Sequence, residues 1–61
     1  MKITMELLMK AAKFQQNHKI DADVVEVDDK GEMIKFLEMD DTVVALVDYD
    51  NDRNGEKYWI N

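Results

Sequence analysis

The side chains in this sequence that could do chemistry are almost all carboxylates. Asp21 and Asp23, then Glu26, Asp28 and Asp29, then Asp40 and Asp41, then Asp48, Asp50 and Asp52 fall in groups, several of them at i,i+2. On extended backbone that spacing sets neighbours about 6.5–7 Å apart along one edge. Paired carboxylates can act as general acid and base when burial separates their pKa values, and Asp40/Asp41 or Asp48/Asp50 are close enough in sequence. Nothing around them points to such burial. Glycosidase-type chemistry also needs a cleft larger than 61 residues can enclose. The chain has no Ser and no Cys, and His18 is its single histidine. The familiar nucleophile–base pairs therefore cannot be assembled within one copy, and no enzyme is expected.

Asp50-Asn51-Asp52-Arg53-Asn54-Gly55 reproduces the start of a calcium loop, with oxygens at positions 1, 3 and 5 and glycine at 6. Position 12 would be Asn61, where a bidentate Glu is required. Tyr58-Trp59-Ile60 also reads as a strand where an exiting helix should begin. The alternative is a hairpin loop built on Asn54-Gly55, whose turn conformations use positive φ. His18 lacks a second His or a Cys to complete a transition-metal set, and fits a polar helix C-terminus instead. No metal site and no cofactor is expected.

Eight Lys/Arg stand against fourteen Asp/Glu, a net charge of -6. The charge is segregated. Residues 1–20 carry Lys2, Lys10, Lys13 and Lys19 against Glu6, a net of +3, whereas the remaining 41 residues hold thirteen acids against Lys30, Lys35, Arg53 and Lys57, a net of -9. Direct nucleic-acid binding is not expected, because a polyanion would be repelled and few cations are present to displace its counterions. Regularly spaced carboxylates on a rigid sheet could instead stand in for phosphates and fill the basic groove of a DNA- or RNA-handling enzyme. In size and acidity the chain resembles the small DNA mimics made by bacteriophages, a compositional likeness with no shared motif. Acidic loops that simply keep a small protein soluble would look the same.

One small domain must position these groups, since a chain of this length buries only about 60% of the surface its unfolded form exposes. The expected fold is α+β, an N-terminal amphipathic helix packed on a three- or four-stranded antiparallel β-meander spanning residues 1–61. Thr4 is the expected N-cap, with Ile3 and Leu8 as a hydrophobic staple and helix to about His18. Leu7, Leu8, Ala11 and Phe14 share one side, with Met5 and Ala12 at its edge. Strands are expected from about Ala22, at Val43–Tyr49 and at Glu56–Ile60. Residues 31–39 suit either strand or helix, and the short Asp29-Lys30-Gly31 connection favours a strand. The longest apolar run, Val43 to Val47, is far short of the roughly 18–20 residues that span a bilayer. No membrane is expected, and the chain reads as a complete, unprocessed, cytoplasmic protein.

Val43 to Val47 is apolar at both parities, and Tyr58-Trp59-Ile60 repeats this, so both sheet faces need cover while one helix can cover only one. Curvature, a second copy or a partner could close the other face. The five methionines read as core filler, with a pliable binding surface as the alternative. Tyr49 and Trp59 are the candidate apolar anchors, although Tyr49 could pair with Tyr58 or Trp59 across a last hairpin. The expected function is a non-enzymatic acidic protein-binding module, most concretely an inhibitor of a partner's nucleic-acid site. Asp21, Asp23, Glu26, Asp28, Asp48, Asp50 and Asp52 would supply the charge. A structural or regulatory homodimer, antitoxin-like or an assembly protein, is the second reading, and a calcium-responsive module the third.

Overall fold

A computed structural model of the chain describes residues 4–49 and 53–61. Helix α1 spans Met5–His18 and is followed by strands β1 (Val24–Val27), β2 (Met33–Leu37), β3 (Val43–Leu46) and β4 (Glu56–Trp59). The fold is α+β, as expected, and residues 33–37 are strand.

Thr4 caps α1 in extended backbone, its hydroxyl accepting from Leu7 N at 3.1 Å. The helix ends in a Schellman arrangement: Ile20 N donates to Gln15 O at 3.0 Å and Lys19 N to Gln16 O at 3.4 Å. Lys19 adopts the left-handed region there, at φ 54. Gln15 then ties the exit of the helix to the sheet, because its Oε1 accepts from Ala22 N at 2.9 Å.

All strand pairs are antiparallel, and the order is β3-β2-β1-β4. Strands β1, β2 and β3 form the meander. The fourth strand returns across the sheet to pair with β1, which completes a Greek key. No β3–β4 hairpin forms, so the suggested pairing of Tyr49 with Tyr58 or Trp59 does not occur: Tyr58 lies opposite Val25 and Trp59 opposite Val24.

Towards α1 the core is made by Leu7, Ala11, Ala22, Val25, Val27 and Phe36, all buried, with Phe14, Ile20, Met33, Val44 and Ile60 packed around them. Phe14 stacks on Phe36 with ring centroids 4.9 Å apart. The helix presents a narrower apolar side than its sequence suggests. Met5 is 72% exposed, and Met9 and Ala12 are exposed as well, because at 100° per residue they turn away from the Leu7–Ala11–Phe14 line. Met39 is also exposed, so core filler is the wrong description for three of the methionines.

On the opposite face Val24, Leu37 and Ile34 are buried. Curvature does much of this. Asp41, in the turn before β3, reaches Lys57 Nζ on β4 at 2.9 Å. On a flat sheet β3 and β4 would lie about 14 Å apart, so the sheet must curl to bring them together. Irregular pairing at Glu26/Val27 and at Phe36/Leu37 marks two bulges, which raise the local twist. The strand enclosed on both faces is β1, not β3 as the apolar run implied, since β3 is an edge.

Candidate partner interface

The expected site residues divide between the two ends of the sheet rather than lining one edge. At one end the β1–β2 turn meets the connection from β3 to β4, gathering Asp28, Asp29, Glu32, Asp48, Tyr49 and Glu56. At the other end lie Asp21, Asp23, Glu38, Asp40, Asp41 and Trp59. Asp50 and Asp52 fall outside the described residues.

Arg53 organises the first end. Its Nη2 donates to Asp28 Oδ2 at 2.6 Å and its Nη1 to Asp48 Oδ2 at 2.8 Å, so one guanidinium joins the end of β1 to the segment after β3. Asp28 also builds the hairpin turn. Its Oδ1 accepts from Lys30 N at 2.9 Å and Glu32 N at 2.8 Å, while Gly31 takes φ 84 and donates to Asp28 O. Arg53, and then the Glu32 amide, hold the Asp28 carboxyl below its ordinary pKa, and Asp28 followed by Asp48 pushes Arg53 up. Two carboxylates on one guanidinium leave a net negative charge. Tyr49 stands beside this cluster at 80% exposure.

Glu26 is not available to a partner. It is 3% exposed and its Oε2 accepts from Gly55 N at 2.6 Å. Lys35 and Lys57 lie opposite it on the two neighbouring strands, which places the carboxylate between two ammonium-bearing residues. The dependence on Gly55 is steric: a Cβ there would stand 2.0 Å from Val27 O. Gly55 has no positive φ, so the expected Asn54-Gly55 turn is replaced by a close approach of the returning chain to β1. Most of the calcium-loop oxygens, on Asp50 and Asp52, lie outside the described residues. Among the described residues no group of three or more His, Asp or Glu is arranged to hold a metal ion.

At the second end Asp23 accepts from Asn61 Nδ2 at 3.3 Å, and Asp40 Oδ1 accepts from Thr42 N at 3.1 Å. Hydrogen bonding from Thr42 holds the Asp40 carboxyl below its usual range. Asp21 is exposed. Trp59 is 61% exposed and sits in a row with Val24, Leu37 and Val43, its rings on the face away from α1. On β4 the Tyr58 hydroxyl donates to Glu56 Oε2, which lowers Glu56 and raises Tyr58. His18 is a helix-end residue: its ring stacks on Phe14 at 3.9 Å, with Nδ1 2.9 Å from Phe14 O.

Arg53 is the residue whose role the sequence understated. It is the chain's single arginine and is embedded among acids, which was the available signal. Lys35 and Lys57 carried none, because their relation to Glu26 depends on strand order. Among the described residues no helix is long and apolar enough to cross a membrane. No family model, curated protein or solved structure matches the chain.

Proposed function

We propose that this chain is a non-enzymatic, acidic protein-binding module, a small inhibitor that places carboxylates in the basic nucleic-acid site of a partner. The observation that carries this reading is the end assembled on Arg53, where Asp28, its side chain 14% exposed, anchors the guanidinium that holds the more accessible Asp48, and the exposed Tyr49 follows Asp48 in the chain. Rigidly held carboxylates lose little freedom on docking, and an exposed aromatic next to them supplies apolar contact area. Asp21, Asp40 and Asp41 extend the negative surface at the other end of the sheet. Glu26 has no part in it.

The test is elution along a salt gradient from a lysate of the natural host, comparing the tagged chain with a D48N/D50N/D52N variant. A single DNA- or RNA-handling protein that leaves only at high salt, and that the variant fails to retain, supports the inhibitor. Equal retention by the variant at low salt removes it.

A homodimer is the second reading, favoured by the exposure of Val43 and Trp59 at the two ends of one sheet row. Association of that kind should hold or tighten as salt rises.

A further inference from the structure

Helix α1 carries two stripes. Leu7, Ala11 and Phe14 pack on the sheet, and roughly opposite them, at about 100° per residue, lie Met5, Met9, Ala12 and Gln16, all exposed. Met5 is 72% and Met9 66% exposed. The outer stripe is spaced four, three and four residues apart, the repeat of a two-helix seam. Glu6 and Lys13 border it on one side and the half-buried Leu8 on the other. Neither the packing of α1 on the sheet nor the carboxylates at the ends of the sheet use these side chains.

Charge selects the occupant. Residues 1–20 are net +3 in a chain whose remainder is net -9, so two copies meet with least repulsion through their helices. The row from Val43 to Trp59 is the other exposed apolar surface, but Asp21, Glu38 and Asp40 are exposed at that end of the sheet, and a second copy there would set acids against acids. In an antiparallel pair of α1 helices Met9 opposes Ala12 of the second copy and Met5 opposes Gln16, so each methionine meets a small or flexible side chain. The same register brings Glu6 beside Lys13 of the second copy, twice by symmetry, because both border the seam on the same side. Among the described residues Lys13 makes no ion pair, and Lys10 reaches only Oε1 of Glu6, at 3.4 Å. Sliding one helix by a heptad sets Glu6 against Glu6, and sliding it the other way sets Lys13 against Lys13. We infer that a second copy of this chain docks on the face of Met5, Met9, Ala12 and Gln16, helix antiparallel to helix, with both acidic sheets turned outward. This goes beyond the reading of the chain as an inhibitor and does not depend on it.

Sedimentation equilibrium at low salt, from about 10 µM to about 1 mM chain, tests it. One helix per copy makes an interface at the small end of the range, so a monomer–dimer equilibrium with a Kd on the order of 100 µM is expected. Met9→Glu, at a solvated position, should raise that Kd at least about tenfold with the thermal midpoint of the dilute chain little changed. Glu6→Lys alone and Lys13→Glu alone should each weaken the dimer about fivefold or more. An equimolar mixture of those two variants sets lysines of one chain against glutamates of the other, and should associate as tightly as the unaltered chain. A monomer at 1 mM, growth beyond a dimer, a dimer indifferent to Met9→Glu, or a mixture no tighter than its components would each overturn the inference. Salt elution from lysate reads the acidic ends and sedimentation reads the helix, so either can fail while the other survives.

Discussion

Arg53 and Asp28 are 25 positions apart and meet at 2.6 Å, a direct tie between the end of β1 and the segment that leads into β4. The same guanidinium holds Asp48, so this triad sets where the returning chain crosses and how carboxylates are displayed beside Tyr49.

Acidification should therefore loosen that crossing. The folded pKa of Asp28 is depressed by Arg53 and by the Glu32 amide, so its contribution to stability is complete above the ordinary aspartate value of about 3.9 and is lost as pH falls through the lower folded value. Asp40, lowered by Thr42, and Glu56, lowered by Tyr58, act in the same direction. Urea midpoints measured between neutral pH and pH ~3 should fall more for the unaltered chain than for D28N. Parallel curves would show that the triad adds nothing to folding.

Gly55→Ala should be among the most damaging surface substitutions. The added methyl meets the Val27 carbonyl, which is backbone and cannot rotate aside, so either the Glu26–Gly55 hydrogen bond or the β1–β4 register must give. A cost of about 2 kcal/mol or more is expected, read as a shifted urea midpoint with an unchanged slope.

Lys19→Gly should stabilise. Lys19 closes α1 at φ 54, a conformation that an L side chain adopts at a cost and glycine does not. A gain of about 0.5–1 kcal/mol is expected from chemical denaturation, and a loss would show that the lysine side chain matters more than its backbone.

Met5→Gln and Met9→Gln together should change stability by no more than about 0.5 kcal/mol each, because both side chains are solvated. Phe36→Ala, by contrast, removes a ring that is fully buried and stacked on Phe14, at a cost of about 3–5 kcal/mol. A two-residue methionine effect as large as that of Phe36 would mean the helix packs by another face.

What the sequence determined by itself is local. Thr4 as a cap, a helix to His18, a hairpin connection at Asp29-Lys30-Gly31 and strands of β-branched residues all follow from hydrogen-bonding partners and backbone preferences within a few positions. The absence of Ser and Cys, and the separation of charge along the chain, are equally properties of composition. Only the tertiary structure decided that β4 pairs with β1, because a strand's partner is chosen by which faces can be buried together and not by its own residues. That choice moves Glu26 from a presumed surface carboxylate to an enclosed one between Lys35 and Lys57, and separates Tyr49 from Trp59. It also assigns Gly55 a steric role, places β3 at the edge of the sheet, and makes Arg53 the common partner of two aspartates twenty residues apart in sequence. Contacts of this kind are set by curvature and strand order, which no local pattern encodes.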